Sequence, residues 1–358
     1  MTVLMSVYNG RNYLRDAIKS ILRQTWSDFE LLIINDGSSD NSGEIISSFD
    51  DPRIRLVENP VNVGLTKCLN RGLKLAKSNL IARQDADDIS LPNRLAHQLS
   101  YLESHPDIVL LGTWVKVVDE NSKVLRDTCS PIKPFVLKWR MLFSNQIVHS
   151  SVMFRLDKIW QLGGYDDSLA YSQDYDLWLR VMTKHRISLL PEILVHRREH
   201  ANDISTKYID SQNSTADRIA CRYLSNLLKK KISIEDVHNF REIIHYRMIS
   251  SPDDFKRSLK LLQEVYKAVL RKWEPDAENT ALITNDYLRM IKVIASMCAN
   301  LERKASFDIL KNTINKDTIS LFDISTASCL LKILIGPKLL PKFRRFLGRP
   351  DLEHRPIG

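Results

Sequence analysis

No hydrophobic run in the chain reaches the roughly 20 residues that a helix needs to cross a bilayer. No basic leader precedes the first apolar segment, which begins at Val3, and the expectation is a cytoplasmic protein. Cysteine is scarce: the five residues, at positions 68, 129, 221, 298 and 329, are odd in number and widely spaced, without CxxC or zinc-ligand spacing. That pattern argues against a disulfide scaffold and fits reduced thiols. Glycine is sparse where a triphosphate-binding loop would need it. The turn after the first apolar segment, Asn9-Gly10-Arg11-Asn12, holds one glycine, whereas a sugar-phosphate nucleotidyltransferase would want a glycine-rich basic loop there. Neither an internal repeat nor a low-complexity tract is present.

At 358 residues the chain exceeds one typical domain, and 44% hydrophobic residues are ample for a buried core. Residues 1–200 hold 25 Lys and Arg against 24 Asp and Glu, so nearly all of the net charge of +9 falls after residue 200. From Ala216 to Leu347 the pattern reads as successive amphipathic helices, for example Phe255, Leu259, Leu262, Val265, Tyr266 and Val269, with basic residues between them. Such a region suits nucleic acid, an anionic membrane or plain solvation. No nucleic-acid-binding motif accompanies the charge, so that partner is set aside. The segment from Leu330 to Arg349 interleaves leucine, isoleucine and phenylalanine with lysine and arginine, a composition suited to a membrane interface. Gly336-Pro337 and Pro341 divide it into two short pieces, for which docking onto a protein is the alternative. The boundary is expected between His200 and Ala216, where Ala201-Asn202-Asp203 and Ser211-Gln212-Asn213-Ser214 are polar. Residues 1–205 would form one domain and 216–358 a second.

The first part alternates strand and helix. Val3 to Val7 is a short β-branched run, followed by a Tyr8-Asn9-Gly10 turn and apolar positions Tyr13, Leu14, Ala17, Ile18, Ile21 and Leu22 at helical spacing. Phe29 to Ile34 repeats the strand, and Asn35-Asp36-Gly37-Ser38-Ser39-Asp40 supplies a turn whose Asp40 could cap the helix carrying Ile45 and Ile46. Ile54 to Val57, Thr66 to Ala76 and Leu80 to Ala82 extend the rhythm. Such alternation implies a mostly parallel, helix-covered sheet, which binds ligands at the carboxyl ends of its strands.

At the end of the fourth strand stands Ile81-Ala82-Arg83-Gln84-Asp85-Ala86-Asp87-Asp88, three carboxylates within four positions. Carboxylates this close repel unless a cation or basic group stands among them. Hard divalent ions such as Mg²⁺ or Mn²⁺ take oxygen ligands of this kind together with substrate phosphate oxygens, so the spacing suggests a nucleotide-diphosphate site. The competing reading is a solvated turn in which Asp88 or Ser90 caps a helix starting at Leu91-Pro92.

Ser6-Val7-Tyr8-Asn9-Gly10, Phe29 to Asp40, Asn62-Val63-Gly64-Leu65 and Asp85-Ala86-Asp87-Asp88, taken in order, resemble glycosyltransferase family 2. The likeness continues through Ser150-Ser151-Val152-Met153-Phe154-Arg155, Gly163-Gly164-Tyr165-Asp166 and Gln173-Asp174-Tyr175-Asp176, and ends near Arg198-Glu199-His200. It covers roughly the first 200 residues. The resemblance implies a GT-A fold (Rossmann-like and nucleotide-sugar-binding, with a mixed, mostly parallel sheet flanked by helices), followed here by an α-helical C-terminal region. It also implies a nucleotide-sugar donor, Mn²⁺ or Mg²⁺, and inversion at the anomeric carbon.

By the same resemblance Asp87 is the direct metal ligand and Asp85 contacts ribose or reaches the metal through water. Asp88 holds the loop from behind or caps a helix. Asp36 matches the acid that accepts the imide N–H of a uracil or thymine ring, with Asn35 where the family often has another Asp, and Tyr8 and Asn9 complete the base and ribose pocket. Asp174 matches the base that takes the acceptor proton, with Gln173 in place of the usual Glu. His200 is expected on the metal and Arg198 on the diphosphate. His149 is a strand-end structural residue or part of the site, and Arg83 either neutralises the acids or touches diphosphate. The expected function is transfer of a sugar, most simply from a UDP-sugar, to a hydroxyl of a glycan or lipid-linked glycan in bacterial surface polysaccharide synthesis. The enzyme would be cytoplasmic and peripheral at the inner face of the membrane. A sugar-phosphate nucleotidyltransferase and a non-catalytic nucleotide-sugar-binding subunit are the alternatives.

Overall fold

A computed structural model describes residues 1–200, 203–245 and 251–298. The segment from Leu330 to Arg349 lies outside them. The described residues fold as two compact units: those of 1–141 with 145–216, and residues 142–144 with those described between 217 and 298.

The first unit is built on strands β1 (Thr2–Val7), β2 (Glu30–Asn35), β3 (Ile54–Glu58) and β4 (Leu80–Asp85), joined by helices α1 (Leu14–Leu22), α2 (Ser42–Ser47) and α3 (Leu65–Leu75). Further along come β5 (Ile89–Ser90), α4 (Arg94–Ser104), β6 (Ile108–Val118), β7 (Val124–Thr128), α5 (Pro134–Met141), a 3₁₀ turn at His149–Ser151 and β8 (Met153–Arg155). α6 (Leu156–Gln161), α7 (Gln173–Lys184), β9 (Arg186–Arg198), α8 (Ile204–Lys207) and α9 (Ile209–Leu228) follow. The sheet runs β3-β2-β1-β4-β8-β6-β9-β5, with β7 hairpinned onto β6. β1 to β4 pair in parallel, β8 is antiparallel to both its neighbours, and β6 and β9 are parallel. The mostly parallel α/β fold expected from the sequence is what the chain adopts.

Burial on both faces explains why β1 and β2 read as continuous apolar runs. Val3, Met5, Leu31, Ile33 and Ala82 pack with Leu14, Ala17, Ile18 and Ile21 of α1 and Leu95 and Leu102 of α4. On the opposite face a Cβ added at Gly72 of α3 would collide with the Leu4 side chain, so that helix lies directly on β1. The polar residues before Leu91 do not cap a helix there: Ile89–Ser90 is a short strand on β9, and α4 starts at Arg94. The polar tetrapeptide Ser211-Gln212-Asn213-Ser214 is not a linker either, because it lies within α9, where helical hydrogen bonding outweighs the weak propensities of Ser and Asn.

The second unit contains the later part of α9 and helices α10 (Ile234–Ile244), α11 (Pro252–Trp273) and α12 (Ala277–Cys298). Ser233 caps α10 by accepting the Asp236 N–H at 2.9 Å, and Ser251 caps α11 one residue before its proline. The helical stripe Phe255, Leu259, Leu262, Val265 and Val269 is buried, and Tyr266 stacks on Tyr287 with centroids 4.0 Å apart. Among the described residues no helix is long and apolar enough to cross a membrane.

Candidate active site

Register brings the polar loops together. Val7 pairs with Asn35 and Ser6 with Asp85, so Tyr8, Asp36 and the Asp85–Asp88 segment leave the sheet along one edge. Asn9, at φ +52°, accepts the Ser39 N–H at 2.9 Å and donates its own N–H to Ser38 Oγ at 3.0 Å, which ties the first loop to the second. Asp40 accepts the Arg11 and Ser42 N–H groups, both at 3.0 Å, and strengthens that tie. The Tyr8 side chain stands 53% exposed at this edge.

Asp36 is used otherwise than expected. It is 2% exposed and accepts Asn59 Nδ2 at 2.7 Å and the backbone N–H groups of Val63 and Gly64, both at 2.9 Å. Burial alone would raise its pKa, but these donors and the Cys68 thiol outweigh it and hold the carboxyl below the usual range. A carboxylate has about four acceptor sites, and these partners occupy them. The predicted imide contact is therefore replaced by an internal one that anchors the 61–64 loop. Gly37 allows this loop to pass: at φ +65° its missing Cβ would lie 2.6 Å from the Val61 carbonyl carbon.

Each acid of the cluster has a different partner. Asp85 pairs with the Arg83 guanidinium, which is 1% exposed and also donates to the Leu4 and Gln84 carbonyls. Burial pushes the Asp85 carboxyl up, but Arg83 outweighs it and keeps the group below the usual range. Arg83 thus neutralises the cluster and, buried beneath it, is not a diphosphate contact. Behind it Arg94, fully buried, donates to Gln84, Ser90 and Gln98 side chains and to the Arg83 and Val152 carbonyls. Burial brings its pKa down to about 9.

Asp87 Oδ2 lies 3.1 Å from His200 Nε2, although the residues are 113 positions apart. That hydrogen bond is the main cause of the raised pKa of His200, whose ring also packs on Tyr13 at 4.8 Å. The Asp87 carboxylate suits Mn²⁺ or Mg²⁺, whereas the imidazole is a softer ligand, which favours the less hard Mn²⁺ of the two. Among the described residues no group of three or more His, Cys, Asp or Glu could hold a metal alone, so the remaining ligands would be phosphate oxygens and water, as is usual for these ions.

Asp88 resolves between its two readings as the loop anchor. It is 2% exposed, with Oδ1 accepting the Arg198 N–H at 2.8 Å and Oδ2 accepting the Ser150 hydroxyl. Burial, then Asp87 and Asp85, push its pKa well above the usual carboxylate range.

Arg198 also departs from expectation. Its guanidinium donates to the carbonyls of Asp87 at 3.1 Å, Asp119 at 3.1 Å and Glu120 at 3.0 Å, and lies 4.7 Å from the Tyr13 ring centroid. These bonds, with one to the Ser122 hydroxyl at 3.1 Å, use its Nε and Nη1 donors, so this side of the guanidinium braces the acidic loop. The neighbouring Arg197 has its charge against Asp85 and Asp88 and forms ion pairs with Glu199 and Asp203, each at 3.3 Å.

Asp174 occupies the second position of α7, after Ser172 in the left-handed region at φ +55° and the buried Gln173. Its Oδ2 accepts Asn145 Nδ2 at 2.8 Å. Burial raises its pKa to about 6, with the Asp85 charge adding to the rise and Tyr175 and Asn145 opposing it. His149 Nε2 shares a hydrogen bond of 2.9 Å with the Tyr165 hydroxyl, and burial brings its pKa down to about 3, so the ring is neutral. Tyr13, Asn59, Asn145, Ser150 and Arg197 are site residues that sequence reasoning missed. Ser150 stands in a family-like segment and Tyr13 in a helical stripe, whereas Asn145 carries no local signal.

Glycosyl transferase family 2, as a family, matches residues 2–160. The amylovoran biosynthesis glycosyltransferase AmsE of Erwinia amylovora is 34% identical over 220 residues, covering 59% of this chain and 82% of that one. The O-antigen biosynthesis glycosyltransferase WbnJ of Escherichia coli is 33% identical over 205 residues, covering 56% and 80% respectively. In fold the chain is similar to S. aureus TarS residues 1–349, solved in complex with UDP-GlcNAc, with a TM-score of 0.54 at 16% identity over 82% of this chain and 90% of that one. The chain belongs to glycosyltransferase family 2 and has the GT-A type of fold. Its family sets aside the nucleotidyltransferase alternative.

Proposed function

We propose that this glycosyltransferase is an inverting, metal-dependent enzyme that moves a sugar from a nucleotide diphosphate, UDP in the first instance, to a hydroxyl of a glycan or lipid-linked glycan. The observation that carries this reading is the pairing of Asp87 with His200 at 3.1 Å, together with a carboxyl, Asp174, that is poised near pH 6 and feels the charge of Asp85 in the same acidic cluster. Asp174 accepts the acceptor hydroxyl proton as the oxygen attacks the sugar, and its raised pKa makes it a stronger base than an ordinary carboxylate. Asp87 and His200 would hold Mn²⁺ or Mg²⁺, which when bound supplies neutralisation of the departing diphosphate. Arg197 takes the donor-side role expected of Arg198, and Asp85, kept ionised by Arg83, accepts from a ribose or sugar hydroxyl. Tyr8 offers its exposed ring to the base.

Residues 1–205 would carry catalysis, and the basic helices after residue 216 would dock the acceptor, a partner or the membrane. Polysaccharide synthesis is the setting that the names of AmsE and WbnJ support, and a cytoplasmic site peripheral to the membrane is part of the proposal. Calorimetric titration with UDP, GDP and CMP, each with Mn²⁺ and with EDTA, tests the donor site on wild type and Asp87→Ala. Mn²⁺-dependent UDP binding that is lost in the variant is expected. A GDP preference would overturn the choice of UDP while keeping the transferase, and no binding to any nucleotide would favour a non-catalytic subunit.

A further inference from the structure

Asn145 lies in the connection between α5 and the 3₁₀ turn, 29 residues from Asp174 in sequence. Its amide is gripped at both ends. Nδ2 donates to Asp174 Oδ2 at 2.8 Å, while Oδ1 accepts the Ile147 N–H at 3.1 Å. The opposite amide orientation would set an N–H against the Ile147 N–H and an oxygen against the carboxylate, so both contacts select the same one. The connection is itself anchored: Ile147 is buried, and the Ser130 hydroxyl donates to the Gln146 carbonyl at 2.6 Å. On the other side of Asp174, the Ser172 hydroxyl donates to the Gln212 carbonyl at 3.1 Å and holds the start of α7. The carboxylate also takes backbone N–H groups at the start of α7, its own and that of Tyr175, so it is placed by its helix and turned by Asn145, which is itself exposed to solvent.

We propose that Asn145 is a positioning residue for the base: by holding Oδ2 of Asp174 it fixes the plane in which the carboxylate meets the acceptor hydroxyl. This rests on the reading of Asp174 as the base. A donor held against one carboxylate oxygen fixes the plane of the group and stabilises its ionised form, so the same contact sets both aim and proton affinity. The hydrogen bonds of Asn145 run to Asp174 and Ile147, neither of which is assigned to the donor, so its effect should fall on turnover and not on nucleotide affinity.

The test compares wild type, Asn145→Ala, Asn145→Asp and Asp174→Asn. The carboxyl resonance of Asp174, identified by its absence in Asp174→Asn, is titrated by carbon NMR. UDP release from a panel of UDP-sugars is followed against pH, and UDP affinity with Mn²⁺ is measured alongside. Asn145→Ala should move the Asp174 titration and the acidic limb of the rate profile up by on the order of one pH unit, the equivalent of one lost charge-assisted hydrogen bond. Asn145→Asp should move both further through like-charge repulsion, with UDP affinity within about twofold of wild type in each. An unchanged Asp174 titration in both Asn145 variants overturns the positioning role even if Asp174→Asn is inactive. If Asp174→Asn turns over like wild type, the base reading itself fails.

Discussion

Asp88→Ala removes the anchor on which the Asp87–His200 pair depends. Asp88 Oδ1 accepts the Arg198 N–H at 2.8 Å and Oδ2 accepts the hydroxyl of Ser150, and all three groups are buried. Alanine deletes both acceptors and strands a buried N–H and a buried hydroxyl, each costing about 1–3 kcal/mol. Loss of one like charge beside Asp85 and Asp87 offsets on the order of 1 kcal/mol of this. The net expectation is a loss of about 3 kcal/mol, or on the order of 10 °C in Tm for a unit of this size. Asp88→Asn separates geometry from charge: its carbonyl keeps the Arg198 N–H, and its amide donates to Ser150 Oγ once that hydroxyl rotates. The expected loss is within about 1 kcal/mol. Because Arg198 also braces the Asp87 carbonyl, slackening the anchor should weaken Mn²⁺-dependent UDP binding by about 10- to 100-fold in the alanine variant, the usual scale for groups behind a metal ligand. Thermal and urea unfolding without metal, followed by calorimetry with UDP and Mn²⁺, measure both effects. Equal behaviour of the alanine and asparagine variants, or an alanine variant as stable as wild type, would refute the anchoring argument.

Asp174→Asn is expected to abolish transfer while leaving UDP binding intact, and loss of binding with a folded protein would remove Asp174 from the base role. The wild-type kcat/KM should rise with pH through about 6, because the base must be ionised and burial has raised its pKa from 3.8. The sign for stability is opposite: a carboxyl whose folded pKa lies above its unfolded value is stabilised by protonation, so Asp174→Asn should exceed wild type in Tm at about pH 8, with the difference closing toward about pH 4. Gly37→Ala should cost about 2–4 kcal/mol, from a left-handed backbone and a Cβ 2.6 Å from Val61, and should also weaken UDP binding by displacing the 61–64 loop. Unfolding and calorimetry on that variant check both.

Local pattern was enough for the first half of the sheet. Alternation of buried runs with helical stripes located β1 to β4 and their helices to within a few residues, because each element buries its own apolar face and the register of a parallel sheet then follows. It also put Asp85, Asp87 and Asp88 at a strand end, where the chain itself holds them together. What the sequence by itself determined was therefore the class of fold, the family and the edge of the sheet at which the polar loops gather. Tertiary structure decided which side chains share a partner. Arg197 and Arg198 are adjacent on β9, and side chains alternate across a strand, so the registers of β9 against β6 and β5 place the Arg198 side chain on the acidic loop and the Arg197 charge against the acids. Asp36 kept its position but lost its expected contact to Asn59, Val63 and Gly64, whose approach depends on a loop about 25 residues downstream of it. Asn145 and Asp174, or Asp87 and His200, meet across 29 and 113 residues, and no periodicity records a contact made by folding the chain back on itself.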